Sequence, residues 1–483
     1  MLPLAQRARS TLSLLAITSL AGLTGSPTHA TSPPEPGLRW DLSLSAPSAA
    51  PPQGNDTATP WSHLLEVAAQ QAATNRMADA NVQAAQAQHK QVWSSAWMPR
   101  VDLNAGSSRQ QQVYNGTSSS TPATAISLTT TLPLWRAADR ANAQAQNALT
   151  DLARWQARSQ RVLVARELSL AYLAAAEAAE QRRLAQAQLS LLQKQLHIND
   201  RRLQAGLGTM LDQLETRTRM DQTRASIREL GMRVTSQRLT IERLSGQGVR
   251  IPAGLSQTSI GTPDLLPSLD EALQQAAQDN PQLQDARARL AAARATTSAR
   301  DAEYWQPTLD ASATASRTHQ TQRFEGITDQ QDVSTKAIGV QLNWPLFTGG
   351  YQQGRVQEAA ALLTRAQAGH DDAEAAAQSG LRDAYQSLTQ AQVIIAAQQD
   401  VEQTASATYE AVNKAFVAGL RTNLDLLNAQ QQIHTARQSL VAARVTALSA
   451  HVNILALLDQ LDAQHVAPLS AQFDPEPMPE SAP

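Results

Sequence analysis

Two stretches far apart in this chain are copies of one helical turn. Residues 416–427 read F-V-A-G-L-R-T-N-L-D-L-L, and residues 203–214 read L-Q-A-G-L-G-T-M-L-D-Q-L. In each, a long heptad-patterned segment runs into a glycine, Gly206 or Gly419, and an aspartate follows six residues later, Asp212 or Asp425. Glycine accepts the left-handed backbone that closes a helix, so both copies predict helix, tight turn, helix. A chain that carries the same hairpin twice is built from a repeat.

The correspondence extends well beyond the hairpin. Tyr172 answers Tyr385, and Leu132, Pro133, Leu134 and Trp135 answer Trp344, Pro345, Leu346 and Phe347. The run from Ala96 through Trp97, Pro99 and Asp102 answers the run from Tyr304 through Trp305, Pro307 and Asp310. The order is preserved and the offset drifts by only a few positions, so the chain is two tandem copies of one unit. The expected units are residues 61–250 and 268–462, joined by a linker at 251–267.

Aromatics make up only 4% of the 483 residues, too few large apolar groups for one thick core. Ala-rich helices packed side by side need no such core. The formal net charge of -2 excludes a strongly basic nucleic-acid binder. No cysteine occurs, so disulfides, thiolate metal sites and a lipidated N-terminal cysteine are excluded. Residues 1–30 have the layout of a secretory signal: Arg7 and Arg9, an apolar stretch over 12–23, and small residues at Thr28 and Ala30. Residues 31–60, rich in Pro and Ser, and 463–483 are expected to be a mobile leader and a disordered tail.

Residues 61–96 and 268–303 predict the first helix of each copy, with Asn280-Pro281 interrupting the second. The apolar period then changes to two. Ile126, Leu128, Leu132 and Leu134 alternate with polar residues, as do Ile338, Val340, Leu342, Trp344 and Leu346. Weaker alternation over 101–107 and 309–315 predicts a partner strand for each, joined through polar loops at 108–124 and 316–336. Strands of ~9–11 residues with one apolar face suit a membrane barrel. Trp97, Trp135, Trp305 and Trp344 fall near strand ends, where membrane-interface aromatics belong. Four strands are fewer than the ~8 of the smallest single-chain barrel, so spanning strands would need several chains. Residues 136–205 and 350–418 contain no proline. Leu189, Leu192, Leu196 and Leu203 keep a seam with Asn199 at its remaining position, which predicts supercoiled helices. At 1.5 Å per residue each long helix would reach ~100 Å.

These segments, in this order, resemble the TolC-like outer membrane efflux proteins. The resemblance is sharpest from Gly419 to Gln430, which is similar to the family's Gly-x-Arg-x-x-x-Asp-x-Leu signature, and at Pro-Leu-Phe-x-Gly-Gly over 345–350. It implies a homotrimer, mainly α with membrane β, in which three four-stranded contributions close a twelve-stranded outer-membrane barrel over a coiled-coil α-barrel in the periplasm. It implies a passive export conduit for type I protein secretion, served by a periplasmic adaptor and an inner-membrane ABC or proton-driven pump, in contact with outer membrane lipid. An alternative is an outer membrane partner of a drug or metal efflux pump. Alternatives of another class are a periplasmic coiled-coil adaptor and a structural envelope protein. Within the family's pattern Asp425 and Asp212 would ring the channel gate, with Arg421 as latch. Phe416 stands where the family often has an aromatic hydroxyl, and Asn428 where it often has a second acid. No pattern for catalysis, cofactor or metal is present. His434 reads as an ordinary helix residue, and Gly349-Gly350 lacks the ending of a phosphate loop.

Overall fold

The computed structural model describes residues 58–114, 117–255, 266–324, 327–470 and 472–473, all in one compact unit, Ala49–Pro483. The expected secretory signal, and the leader up to residue 57, lie outside the described residues. Nine helices and four strands follow in chain order among those described: α1 Trp61–Gln71, α2 Ala73–Trp97, β1 Arg100–Tyr114, β2 Thr117–Arg136, α3 Ala137–Gln204, α4 Met210–Ser245, α5 Leu269–Asp279, α6 Pro281–Trp305, β3 Thr308–Phe324, β4 Ile327–Asn343, α7 Tyr351–Val417, α8 Asn423–Leu457 and α9 Ala463–Ser470. Each repeat is therefore a broken helix, a strand pair, a helix of 68 or 67 residues, and a shorter return helix.

The break in the first helix occurs in both copies and is held differently in each. In the second, Asn280 leaves the helical region (φ -58, ψ 120) as the residue before Pro281 must. Its Oδ1 accepts from the backbone N–H groups of Gln282 and Leu283, each at 3.0 Å, while its Nδ2 donates to the Leu457 carbonyl at 2.9 Å. In the first copy Ala72 takes nearly the same angles (φ -55, ψ 126) with no proline beside it. There buried Asn75 donates to the Ala68 carbonyl at 3.1 Å, satisfying an end of α1.

The core sits at mid-length of the long helices. Leu168, Leu173, Ala175 and Ala176 of α3 pack with Trp61 and Leu64 of α1, Ile241 and Leu244 of α4, and Val452 and Leu455 of α8. A second cluster joins Leu381 and Leu388 of α7 to Ala272 of α5 and Ile454 of α8. Many of these positions are alanine, so backbones approach closely without bulky side chains. Tyr172 and Tyr385 do the same job in the two copies. Tyr172 donates to the Thr59 carbonyl at 3.5 Å, and Tyr385 to the Pro267 carbonyl at 2.7 Å, tying each repeat's entry to its long helix.

The chain end differs from the sequence expectation. Residues 463–470 form α9 instead of a disordered tail, and Val466 and Leu469 are fully buried in the core. Phe473 meets Trp61 edge-on at 6.2 Å and Tyr172 at 5.3 Å, while its backbone bridges Leu255. Residues 474–483 lie outside the described residues. The segment 251–255, expected to be linker, buries Ile251 and Leu255 in the same core.

The four strands form one antiparallel sheet in the order β1-β2-β3-β4, so β1 and β4 each have one edge with no neighbouring strand within the described residues. The strands are longer than their alternation predicts. Residues 108–124 and 316–336, expected as polar loops, continue the ladders with unbroken pairing from Ser108↔Ala123 to Tyr114↔Thr117 and from Ser316↔Thr335 to Phe324↔Ile327.

Candidate functional site

Two regions carry the sequence-predicted site residues: the hairpin tips and the sheet. At the tips Gly206 (φ 72) and Gly419 (φ 75) occupy the left-handed region. The N–H of Gly206 donates to the Leu203 carbonyl and that of Leu207 to Arg202; Gly419 and Leu420 repeat the pair on Phe416 and Ala415. Each long helix thus closes in a Schellman turn, which glycine enters without the penalty of a Cβ. Thr209 and Thr422 then cap the return helices. Asp212 Oδ2 accepts from the Thr209 N–H at 3.0 Å and hydroxyl at 2.7 Å. Asp425 Oδ2 accepts from the Thr422 N–H at 3.1 Å and hydroxyl at 2.9 Å. Both aspartates are the third-position partners of capping boxes. The Thr422 N–H and hydroxyl, with a smaller contribution from Arg421, hold the Asp425 carboxyl below the usual aspartate range.

Arg421 lies 4.0 Å from Asp425 Oδ2, one turn apart in its own hairpin. It does not reach the first hairpin. Two other contacts make that crossing. The Arg202 guanidinium stacks 4.9 Å over the buried Phe416 ring, joining the ends of α3 and α7. Above it, Gln195, Asn199, Thr216 and Asn423 form a buried polar cluster between α3, α4 and α8. Asn199 Nδ2 donates to Thr216 Oγ1 at 2.9 Å and to Asn423 Oδ1 at 3.0 Å, and Gln195 Nε2 donates to Asn423 Oδ1 at 3.2 Å. Asn423 Nδ2 in turn reaches the Asp212 carbonyl at 3.3 Å. Leu192, Met220 and Leu427 seal it on the side of the core. Asn199 occupies the seam position read from the leucine spacing; the other three follow from no sequence period, and the caps, which the sequence reading missed, carry a Thr-x-x-Asp spacing that could have signalled them. Asn428, where a second acid would stand, is exposed.

The sheet has two chemically distinct faces. Register places Val101, Thr130, Ala313 and Ile338 in one row, Leu103, Leu128 and Ala315 in the next, and Leu132, Ala311 and Val340 below, all on one face. The other face carries Asp102, Thr129 and Thr314, then Asn104, Ser127, Ser316 and Thr335. On β3 the apolar-face residues Ala313 and Ala315 are exposed while Thr314 and Ser316 are half-buried, so the sheet curls toward its polar face. All four predicted tryptophans lie where helices meet strands, at one end of the sheet. They are exposed at 47–70%. Arg140 stacks 4.0 Å from Trp97 and 5.6 Å from Trp135. Beneath them Arg136 of β2 holds Asp310 of β3 in a bidentate pair at 2.7 and 2.9 Å, locking one repeat to the other.

Among the described residues no three His, Cys, Asp or Glu converge on a metal-sized site. His434 is half-buried in α8, and burial lowers its pKa. Both hairpins close in tight turns with no β-domain inserted at either tip.

A two-faced, four-stranded antiparallel sheet carried on long paired helices defines the class of fold. The outer membrane efflux protein family model matches residues 64–247 and 272–460, and the chain belongs to that family. That places it in the bacterial outer membrane, extending into the periplasm. AprF, the alkaline protease secretion protein of Pseudomonas aeruginosa, is 29% identical over 328 residues, 67% of each chain. PrtF, the proteases secretion protein of Dickeya chrysanthemi, is 27% identical over 329 residues, 67% of this chain and 70% of its own. The outer-membrane channel OprN shares the fold with a TM-score of 0.72, at 20% identity, over 84% of this chain and 90% of that one.

Proposed function

We propose that three copies of this chain close a twelve-stranded barrel whose helices continue as a periplasmic tube, a passive conduit for type I protein secretion. The observation that carries the reading is the sheet: four strands, both edges open, one face apolar and the other polar. A membrane tolerates no unpaired edge, because each unsatisfied backbone group there costs several kcal/mol. Copies must therefore supply the missing neighbours, with the apolar face to lipid and the polar face to the lumen. The tryptophans at the helix–strand junctions would sit at the periplasmic interface. The likeness to AprF and PrtF, both named for protease secretion, favours a secreted-protein cargo over a drug.

At the far end the hairpin tips would converge on the three-fold axis. Asp425 and Asp212 would ring the constriction, where closely spaced carboxylates favour cations, with Arg421 beside them as latch. A periplasmic adaptor and an inner-membrane ABC or proton-driven pump would complete the path. Deleting the gene and restoring it on a plasmid tests the cargo. A secreted protease-sized protein should disappear from the medium and return on complementation, with drug sensitivity unchanged. Unchanged secretion with restored drug resistance would favour the efflux alternative.

A further inference from the structure

The apolar face of the sheet does not stay apolar to its far end. The row of Leu103, Leu128 and Ala315 ends in Lys336, and above it the same face carries Arg317, then His319, with Arg109 a row further on β1. All four are exposed. Lys336 pairs with Ala315 and Arg317 with Ser334, so the two cations are diagonal neighbours, ~7–8 Å apart. Beside them lies a depression of about 480 Å³, floored by Ala105, Gly106, Ser107, Thr124 and Ala125 and walled by Ile126, Arg317 and His319. Its floor is low because its side chains are small. Asp332 is the acid in this patch: its Oδ1 is 2.9 Å from His319 Nδ1, and Oδ2 is 3.8 Å from Arg317. Arg317 and Lys336 against one carboxylate leave the patch positive whichever state His319 holds.

The height of the patch is the second observation. Eight residues separate Trp344 from Lys336, and nine separate Trp135 from Ile126, the partner of Arg317. At ~3.4 Å per residue and a tilt of ~45° they climb about 19 and 22 Å. A barrel's apolar band is ~25 Å tall. With the tryptophans at the periplasmic interface, the backbone at Lys336 and Arg317 stands about 3–6 Å short of the opposite headgroup level, within reach of their long side chains, which point outward to lipid instead of inward to the lumen. Cations facing hydrocarbon are costly, and at headgroup height they are not.

We propose that Arg317 and Lys336, beside this depression, bind the phosphate groups of a phosphorylated glycolipid in the outer leaflet. The guanidinium of Arg317 donates to phosphate oxygens, Lys336 adds a neighbouring point charge, and the small-residue floor receives the sugar to which the phosphate is attached. The inference rests on the barrel orientation given under the proposed function.

The test uses the full chain in detergent, with native mass spectrometry and planar-bilayer conductance on the same preparation. Diphosphoryl lipid A should be retained about tenfold more tightly than its dephosphorylated form. Arg317→Ala with Lys336→Ala should abolish that preference and leave conductance unchanged, and Asp332→Asn should strengthen it. Equal retention of both lipids by the unmodified chain would overturn the site, whatever the variants do. Millimolar inorganic phosphate displacing the lipid as well as lipid A itself would overturn the headgroup assignment. A preparation with no conductance at all would overturn the channel reading, and this site with it. Conductance without phosphate preference would overturn this site alone.

Discussion

Asp425 joins a structural task to the proposed electrostatic one, and the two can be separated by substitution. Its carboxylate accepts from the Thr422 N–H and hydroxyl, so Asp425→Ala removes both a charge and a cap partner. Asp425→Asn keeps an acceptor oxygen at the same place and removes only the charge. Both variants should therefore shift the reversal potential in a salt gradient toward lower cation selectivity, and only the alanine should loosen the turn, seen as faster amide exchange at Asp425. An unchanged reversal potential in both would move the constriction elsewhere. The cap also fixes the sign of the acid response. Its folded pKa lies below the unfolded value, so its contribution is present above the ordinary aspartate range and is lost as pH falls through the folded pKa. Asn423 is the stronger structural test, because it is 3% exposed and accepts from both Gln195 and Asn199. Asn423→Ala should cost about 1–3 kcal/mol in denaturant unfolding by leaving buried donors unpaired. It should also raise single-channel conductance by freeing the second hairpin from the first. Arg421→Ser, whose partner lies in its own turn, should change conductance less.

The sheet gives the element-scale prediction. Val340 lies on the apolar face in the row of Leu132 and Ala311, and the adjacent Gln341 faces the other way, opposite Asp310. Arginine at Val340 should cost about 2–4 kcal/mol in barrel unfolding, and arginine at Gln341 much less. Equal tolerance would refute the lipid face. The same strands explain what sequence could and could not convey. Alternation was legible from Ile126 to Leu134 and from Ile338 to Leu342 because there one face is apolar and the other polar; the expected continuation to Leu346 ends with β4 at Asn343. Beyond Ser108 and Ser316 both faces are polar, so period two vanishes although the backbone ladder runs on. The break at Ala72 had no proline to announce it; only its counterpart at Asn280 did. Helix α9 was hidden by Pro468 and a Pro-rich ending, yet Val466, Leu469 and Phe473 carry a 3,4 spacing that fits one buried face. The turns at Gly206 and Gly419 were fully legible, since left-handed backbone favours one residue type.

At the scale of the whole molecule the open edges decide the assembly. In the order β1-β2-β3-β4, three inter-strand steps separate β1 from β4. At ~4.8 Å per step that is about 14 Å, twice the ~7 Å limit between Cα atoms for a disulfide. A cysteine on β1 and another on β4 cannot join within one sheet, and the chain contains no native cysteine to compete. In a closed trimer β1 of one subunit must pair with β4 of the next. We therefore expect Asn104→Cys, combined in turn with cysteine at Thr335, Ala337, Gly339 or Gln341, to yield oxidised dimers and trimers on denaturing gels. The yield should peak sharply at one partner and fall away on either side, because barrel closure fixes a single register. A trimeric band in place of longer ladders follows from the same argument, since a ring leaves no edge for a fourth copy. Monomer alone at every pairing, from membranes in which the chain conducts ions, would mean that the edges are closed by something other than a second copy.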